Sequence, residues 1–118
     1  MENARPTFIK AYDAALAKVD VLVMPTCLMT APKDHRPTTY LEAVADNLAG
    51  MTPAASANTQ PLNYTGHPAL AMPVGKSTAG LPASMQLIGK FFDDPLVLRV
   101  AYAYQHSVDW DATIAVKS

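Results

Sequence analysis

The side chains that could do chemistry in this 118-residue chain are scattered along it. His35, His67 and His106 lie in three separate segments, and no two of them have the spacing of a metal-binding pair. His67 stands between a glycine and a proline, a turn context that favours a structural or solvated role over catalysis. Cys27, the only cysteine, could be a nucleophile only if the fold brought a histidine to it. These residues predict no metal site, and Cys27 is interpreted as a passive small residue.

The neighbouring carboxylates Asp93 and Asp94 could serve as an acid and a base. However, Asp94 directly precedes Pro95, and an acidic residue followed by proline is typical of the first turn of a helix. We therefore predict that Asp94 caps a helix that runs to about His106. The glycines do not form a phosphate-binding loop next to a helix start. From their chemistry alone, the residues identify no active site.

The composition restricts the class of protein. Nine Lys and Arg residues oppose ten Asp and Glu residues, so a basic face for nucleic acid or for an anionic membrane is not expected. Prolines interrupt the apolar runs before they reach the length of a membrane span, and the first residues lack the apolar stretch of a signal peptide. We expect a cytoplasmic protein with one partial domain over 1–118, no cofactor, no nucleic-acid partner and no membrane partner.

Apolar periodicity predicts the elements of the first half. Helical spacing of apolar residues predicts a helix over 6–18. The continuous apolar run at 21–24 predicts a strand that is buried on both faces. Residues 25–39 are polar and rich in proline, which predicts a surface excursion. A weaker helix is predicted over 40–48 and ends near Gly50.

The second half predicts a strand pair. A short helix is expected at 61–66, and the apolar runs at 69–74 and 84–89 are separated by a turn-forming region, which predicts two antiparallel strands. Gln86 is a polar residue within the second run, and we interpret it as lying near the edge of the sheet. After Trp110 the composition predicts a tail over 111–118.

Three motifs carry a resemblance to a known family: VDVLVMPT (19–26), NYTGHPALAMPVG (63–75) and GLPASMQLIG (80–89). In order and spacing they resemble the C-terminal portion of the amidase signature family, from about Tyr12 to Trp110. Within the family, the segments NTQPLNY (58–64) and YQHSVDW (104–110) look most like bacterial amidases that act on aliphatic and aromatic amides. The resemblance implies an α/β fold, namely the C-terminal part of a mixed-sheet α/β/α amidase-signature fold. At least three strands and two to four helices are expected.

The resemblance also implies a chemistry. Family enzymes hydrolyse a carboxamide to a carboxylate and ammonia, with a serine nucleophile, a second serine, a lysine base and no cofactor. Those serines lie in a Gly/Ser-rich segment that this sequence does not contain, and none of its own serines or lysines lies in a matching motif. No catalytic residue can be assigned here, and we expect no amidase activity from the chain alone, because nucleophile and base are both needed for the acyl intermediate.

Substrate contact is the role that the resemblance leaves to this chain. It implies that the segment from Ala55 to Thr59 lines the acyl pocket, with Ser56, Asn58 and Thr59 as candidate substrate-binding residues. Ser56 stands where relatives that bind glutamine on transfer RNA have an acidic residue, and alanines surround it, which favours an uncharged, apolar acyl group. The alternative is that Asn58 and Thr59 only cap the following helix.

Two functions from different classes therefore remain open. One is a segment of an amidase that binds a small-molecule amide only when the catalytic part is present, either on the same chain or on a second one. The other is a stand-alone small binding or assembly protein that retains this fragment of the fold. Because the strands at 21–24 and 69–74 are predicted to be central, exposed sheet edges should lead to self-association or to docking on the missing amidase portion.

Overall fold

The computed structural model describes residues 3–32, 36–50 and 53–114. These residues form three strands and six helical segments, more helices than the two to four expected, and two of the extra segments are only four and five residues long. In chain order the elements are α1 (Arg5–Leu16), β1 (Leu22–Pro25), α2 (Tyr40–Gly50), α3 (Pro53–Ser56), α4 (Gln60–Thr65), β2 (Ala69–Lys76), β3 (Pro82–Ile88), α5 (Asp94–Ser107) and α6 (Trp110–Ile114).

The three strands form one antiparallel sheet in the order β1-β3-β2. The antiparallel pairing of β2 with β3 is confirmed, and Leu87 of β3 lies between Val23 of β1 and Leu70 of β2. The central strand is β3, whereas the sequence indicated β1 and β2. In this sheet β1 is an edge strand, and Val23 is 58% exposed, so the expected burial of β1 on both faces is not observed.

The core lies between the sheet and α5. Met72 of β2 and Leu87 of β3 pack against Val97 and Ala101 of α5, and all four side chains are buried. The apolar stripe that predicted α5 is therefore the face that covers the sheet. Leu16 at the end of α1 is also fully buried. The helix predicted over 6–18 is confirmed as α1, with proline in its first turn.

The residue at the N-cap position of α5 differs from the expected one. The helix begins at Asp94 as predicted, but the N-cap position is Asp93, and its side chain makes no capping hydrogen bond. Proline in the first turn fixes this start, because its ring sets a helical φ and its missing N–H would have no helical partner there. Phe92, just before the cap, has a φ of 63°, and its side chain is 94% exposed.

The start of α2 is held by a reciprocal pair of hydrogen bonds. Glu42 Oε2 accepts from the backbone N–H and the hydroxyl of Thr38 and from the N–H of Thr39, while the Thr39 hydroxyl accepts from the N–H of Glu42. This is a capping box. The hydrogen bonds, that from the Thr38 N–H above all, lower the pKa of Glu42 below its ordinary value of 4.5.

Of the two segments predicted to lack regular structure, the loop after β1 is confirmed in its described residues, whereas the C-terminal tail begins with a short helix. Residues 26–32 and 36–39 contain no helix or strand, and Cys27 and Leu28 are exposed. In contrast, the short helix α6 occupies the first residues of the predicted tail, and residues 115–118 lie outside the described part of the chain. None of the described helices is long and apolar enough to cross a membrane.

Candidate functional site

The candidate residues lie where α3 gives way to α4: Ser56 is the last residue of α3, and Asn58 and Thr59 lie in the turn that follows. Asn58 reaches from this turn to the end of β1, where its Nδ2 donates a 2.7 Å hydrogen bond to the carbonyl oxygen of Pro25. Asn58 is not the N-cap residue of α4, because that position is held by Thr59 and no side chain makes a capping hydrogen bond there. Asn58 fixes the 55–59 segment to the sheet.

Gln86 provides the second connection between this turn and the sheet. Its side chain is buried in the central strand, and its Nε2 donates a 2.7 Å hydrogen bond to the backbone oxygen of Asn58. The expected position of Gln86 near a sheet edge is wrong. A buried amide in a central strand needs a hydrogen-bond partner, and Gln86 finds one in the backbone of the turn between α3 and α4.

Ser56 and Thr59 make only local contacts. The Thr59 hydroxyl donates to the backbone oxygen of Ser56 over 3.3 Å, and the Ser56 hydroxyl accepts from Gln60 Nε2 over 2.8 Å. Thr59 stands at the N-cap position of α4, but its side chain makes no capping hydrogen bond. Gly66, with a φ of 87°, closes the other end of α4 in the left-handed conformation that glycine adopts without strain.

An apolar groove of 1360 Å³ lies at the end of the sheet where β1 finishes and β3 begins. Its walls come from β1, from the loop at 27–32, from α2 and from the ends of β2 and β3. The lining side chains include Met24, Val74, Met85, Leu28 and Ala49. Asp46 is the one charged residue that lines it within the described part of the chain.

The groove and the candidate residues meet only in part. Ala55 belongs to the groove wall, whereas Ser56, Asn58 and Thr59 do not line it. Of the 55–59 segment, only its first residue therefore contacts the groove. Asn58 does not line the groove but holds the segment to β1 through its hydrogen bond to Pro25. The sequence could not show this arrangement, because the partners of Asn58 are 33 and 28 residues away.

Thr26 places an unsatisfied polar group at the same end of β1. Its backbone N–H donates to the carbonyl of Ser84, but its hydroxyl is buried and has no hydrogen-bond partner among the described residues. Leaving a buried hydroxyl unpaired costs about 1–3 kcal/mol. The sequence does not predict this unpaired hydroxyl, since nothing in its local context distinguishes Thr26 from an ordinary strand-end threonine.

His67 lies elsewhere, and its buried ring contacts α1 through Asp13, whose own side chain is 53% exposed. Its Nδ1 is 3.0 Å from the Thr65 hydroxyl, its Nε2 is 3.2 Å from Asp13 Oδ1, and its ring stacks on Phe91 at 4.2 Å. Threonine, histidine and aspartate are the residue types of a nucleophilic triad, but the Thr65 side chain is fully buried and no substrate can reach it. The cluster supports the structural interpretation of His67.

The remaining candidates do not assemble into a site. His106 Nδ1 is bound to the backbone oxygen of Tyr102, Cys27 is exposed, and His35 lies outside the described residues. Throughout 3–32, 36–50 and 53–114, no group of three His, Cys, Asp or Glu side chains could hold a metal ion.

Known proteins are similar in sequence to this chain. The family model described as Amidase matches residues 1–98. An enantioselective amidase of Rhodococcus rhodochrous is 48% identical over 99 residues, which are 83% of this chain and 18% of that protein. A glutamyl-tRNA(Gln) amidotransferase subunit of Synechococcus sp. (strain CC9605) is 40% identical over 90% of this chain and 20% of its own.

Two solved structures are similar in fold. The corresponding glutamyl-tRNA(Gln) amidotransferase subunit of Thermotoga maritima matches 90% of this chain and 21% of its own, with a TM-score of 0.65 and 27% identity. A bacterial aryl acylamidase of the amidase signature enzymes matches 91% of this chain and 22% of its own, with a TM-score of 0.70 and 21% identity, which shows the fold alone. The chain thus spans about a fifth of the length of these proteins.

Proposed function

We propose, from the fact that this chain belongs to the amidase family, that it forms the C-terminal segment of an amidase-signature hydrolase. The complete enzyme would convert a carboxamide and water to a carboxylate and ammonia. The Ser-Ser-Lys catalytic part would come from sequence that these 118 residues do not include, and the present chain would be inactive alone.

The observation that carries this proposal is the length of the match. The family model covers residues 1–98, yet the chain spans only 18–20% of relatives that are 48% and 40% identical to it. Nucleophile and base act as one unit, so a segment that holds neither cannot form the acyl intermediate. The role that remains for this segment is to complete the fold and to shape the acyl side of the substrate site.

The proposed substrate is a small, uncharged amide with an apolar acyl group. Ala55 and the methionines of the neighbouring strands give the groove an apolar wall. The 55–59 segment itself offers no carboxylate, so a charged amino group placed against it would lose its hydration without gaining an ionic partner there. Asp46, the one carboxylate that lines the groove within the described residues, belongs to α2 and not to this segment. Ser56, Asn58 and Thr59 are proposed to set the position of this wall.

The test is ammonia release from benzamide by two proteins. The first is the chain alone. The second is a chimera in which this chain replaces the matching segment of the Rhodococcus rhodochrous amidase, with the parent enzyme as its control. We expect ammonia from the chimera and none from the isolated chain. Ammonia release by the isolated chain that is abolished by changing its serines to alanine would overturn the proposed inactivity.

A further inference from the structure

A second, smaller cavity lies at the outer edge of β2, between that strand, α5 and α6. Its volume is 680 Å³, and it shares no lining residue with the groove described above. Most sites for small molecules have volumes of roughly 300–1,000 Å³. The size of this cavity therefore suits a small molecule.

The walls of the cavity are mainly apolar and aromatic. Leu70 and Met72 of β2 and Trp110 of α6 line it on the side where they pack into the core. Leu98 and Tyr102, one helical turn apart on α5, line it from the side that faces solvent and are 58% and 63% exposed. A ligand with an apolar tail would cover these side chains and gain free energy from their burial.

Two polar side chains of α5 line the same cavity and lack a partner. The Arg99 guanidinium is exposed and makes no hydrogen bond or ion pair within the described part of the chain. The side-chain amide of Gln105 is half-buried and likewise has no hydrogen bond to another described residue. Both groups are donors, and a guanidinium can donate two parallel hydrogen bonds to the two oxygens of a carboxylate.

The charge of the lining selects one class of ligand. Arg99 is the one charged residue of this cavity among the described residues, whereas Asp46 holds that position in the groove. An ammonium group would meet Arg99 as a like charge. A phosphate monoester carries nearly two negative charges, of which the described lining could balance only one. A monoanion attached to an apolar tail matches both the single guanidinium and the apolar walls.

We propose that the cavity between β2, α5 and α6 binds a monocarboxylate with an apolar tail. Arg99 holds the carboxylate, Gln105 donates a hydrogen bond to it, and the tail lies against Trp110 and the side chains of Leu70 and Met72. The inference is independent of the proposed hydrolysis, because every residue that it uses belongs to this chain.

The chain carries its own probe for this site. Trp110 is its only tryptophan and lines the cavity, so tryptophan fluorescence reports on occupation of the cavity. The test ligand is hexanoate, and hexanamide, which has the same tail without the charge, is its comparison. We expect a saturable change of Trp110 emission with hexanoate, at a dissociation constant at least about fivefold below that of hexanamide. Added salt should weaken hexanoate binding, because Arg99 is exposed.

Two substitutions test the assignment of Arg99. Arg99→Gln should weaken hexanoate binding at least about fivefold and change hexanamide binding by less than about twofold. Lys10→Gln is the matched control, because it removes one positive charge from an exposed position of α1 outside the cavity, and its effect should be below about twofold. The proposal is overturned by the absence of a saturable change, by equal affinities for hexanoate and hexanamide, or by equal effects of the two substitutions.

Other occupants of the cavity are distinguished by two further measurements. A hexanoate affinity that falls as the concentration of the chain rises would place a second copy in the cavity and overturn the small-molecule site. Calorimetric titration of hexanoate into the chimera described above and into its Arg99→Gln variant should show tighter binding by the unsubstituted chimera. Equal binding by both would mean that the rest of the amidase fills the cavity, and it would also overturn the proposal. An inactive chimera that still shows the difference supports the site and counts against the proposed hydrolysis alone.

Discussion

Gln86 Nε2 donates a 2.7 Å hydrogen bond to the backbone oxygen of Asn58, whose own side chain binds Pro25 O. The central strand, the α3–α4 turn and the end of β1 are thereby joined through two side-chain amides. The first bond is made by a side chain that is only 3% exposed, so its loss cannot be compensated by bulk water.

Gln86→Leu should lower the free energy of unfolding by about 1–3 kcal/mol, because the Asn58 carbonyl loses a buried donor. The measurement is urea denaturation followed by circular dichroism. Gln60→Leu is the matched control, since Gln60 is exposed and its bond to Ser56 competes with water, and its effect should be below about 0.5 kcal/mol. Equal effects of the two substitutions would contradict the role given to Gln86.

His67→Phe should also destabilise the chain by about 1–3 kcal/mol. The ring volume is retained, but the buried hydroxyl of Thr65 loses its partner, as does Asp13. His106→Phe is the control, because His106 is exposed on α5. The midpoint of urea unfolding should fall for His67→Phe with an unchanged slope, which reports a loss of stability in the folded state. A wild-type midpoint would contradict the structural role of His67.

Glu42→Gln should weaken α2 at neutral pH and have no effect in acid. The folded-state pKa of Glu42 is lowered by its bonds to Thr38 and Thr39, so ionised Glu42 stabilises the folded state above its unfolded pKa. That contribution is lost as the pH falls through the lowered folded pKa. Amide exchange within α2, compared between the wild type and the variant as a function of pH, measures it.

Thr38→Val provides a graded control for the same site. It removes the hydroxyl donor to Glu42 but keeps the backbone N–H donor, which is the larger cause of the lowered pKa. Its effect on α2 should have the same sign as that of Glu42→Gln and a smaller size. A pH-independent difference between the wild type and Glu42→Gln would contradict the assignment.

The isolated chain should self-associate, because the edge of β1 and its groove are uncovered. Light scattering after size exclusion should give a mass above the 12.6 kDa of one chain. Val23→Lys, which puts a charge on the edge strand β1, should shift the mass towards that of the monomer. Ala71→Lys should not, because it lies on β2, whose edge is already interrupted by Pro73 and by a register shift. A wild-type chain that is monomeric and melts sharply would contradict this prediction.

The sequence predicted what depends on local pattern. Apolar periodicity and turn residues located α1, α4, α5 and the β2–β3 pair, because these elements are determined by neighbours in the chain. The sequence-based prediction was wrong where contacts between distant residues determine the position of a side chain. A polar residue in an apolar strand has no local explanation, and the sequence therefore favours an edge position for Gln86. Its partner, Asn58, is brought to it only by the folded turn.

The candidate site was harder to predict for the same reason. The resemblance predicts Ser56, Asn58 and Thr59 as candidates. Their spacing alone does not distinguish a residue that lines a pocket from one that caps a helix or one that connects a turn to a strand. In the structure, the Asn58 side chain connects the α3–α4 turn to β1 by a hydrogen bond. Ser56 and Thr59 form hydrogen bonds only with residues close to them in the sequence. Thr26 and the outward carbonyl of Pro25 carry no signal in the sequence, since only the direction of the backbone makes them notable.

The separation of β1 from β3 along the chain has a consequence for how the molecule assembles in time. β2 and β3 are joined by residues 77–81 and can form a hairpin quickly, whereas residues 26–81 lie between β1 and its only partner among the described strands. Pairs that are distant in sequence form late, because a long loop must close before their contacts can form. During synthesis β1 leaves the ribosome before β2 and β3, and it has no strand partner among them until β3 emerges. In that interval a chaperone that binds apolar segments would be of most use to it.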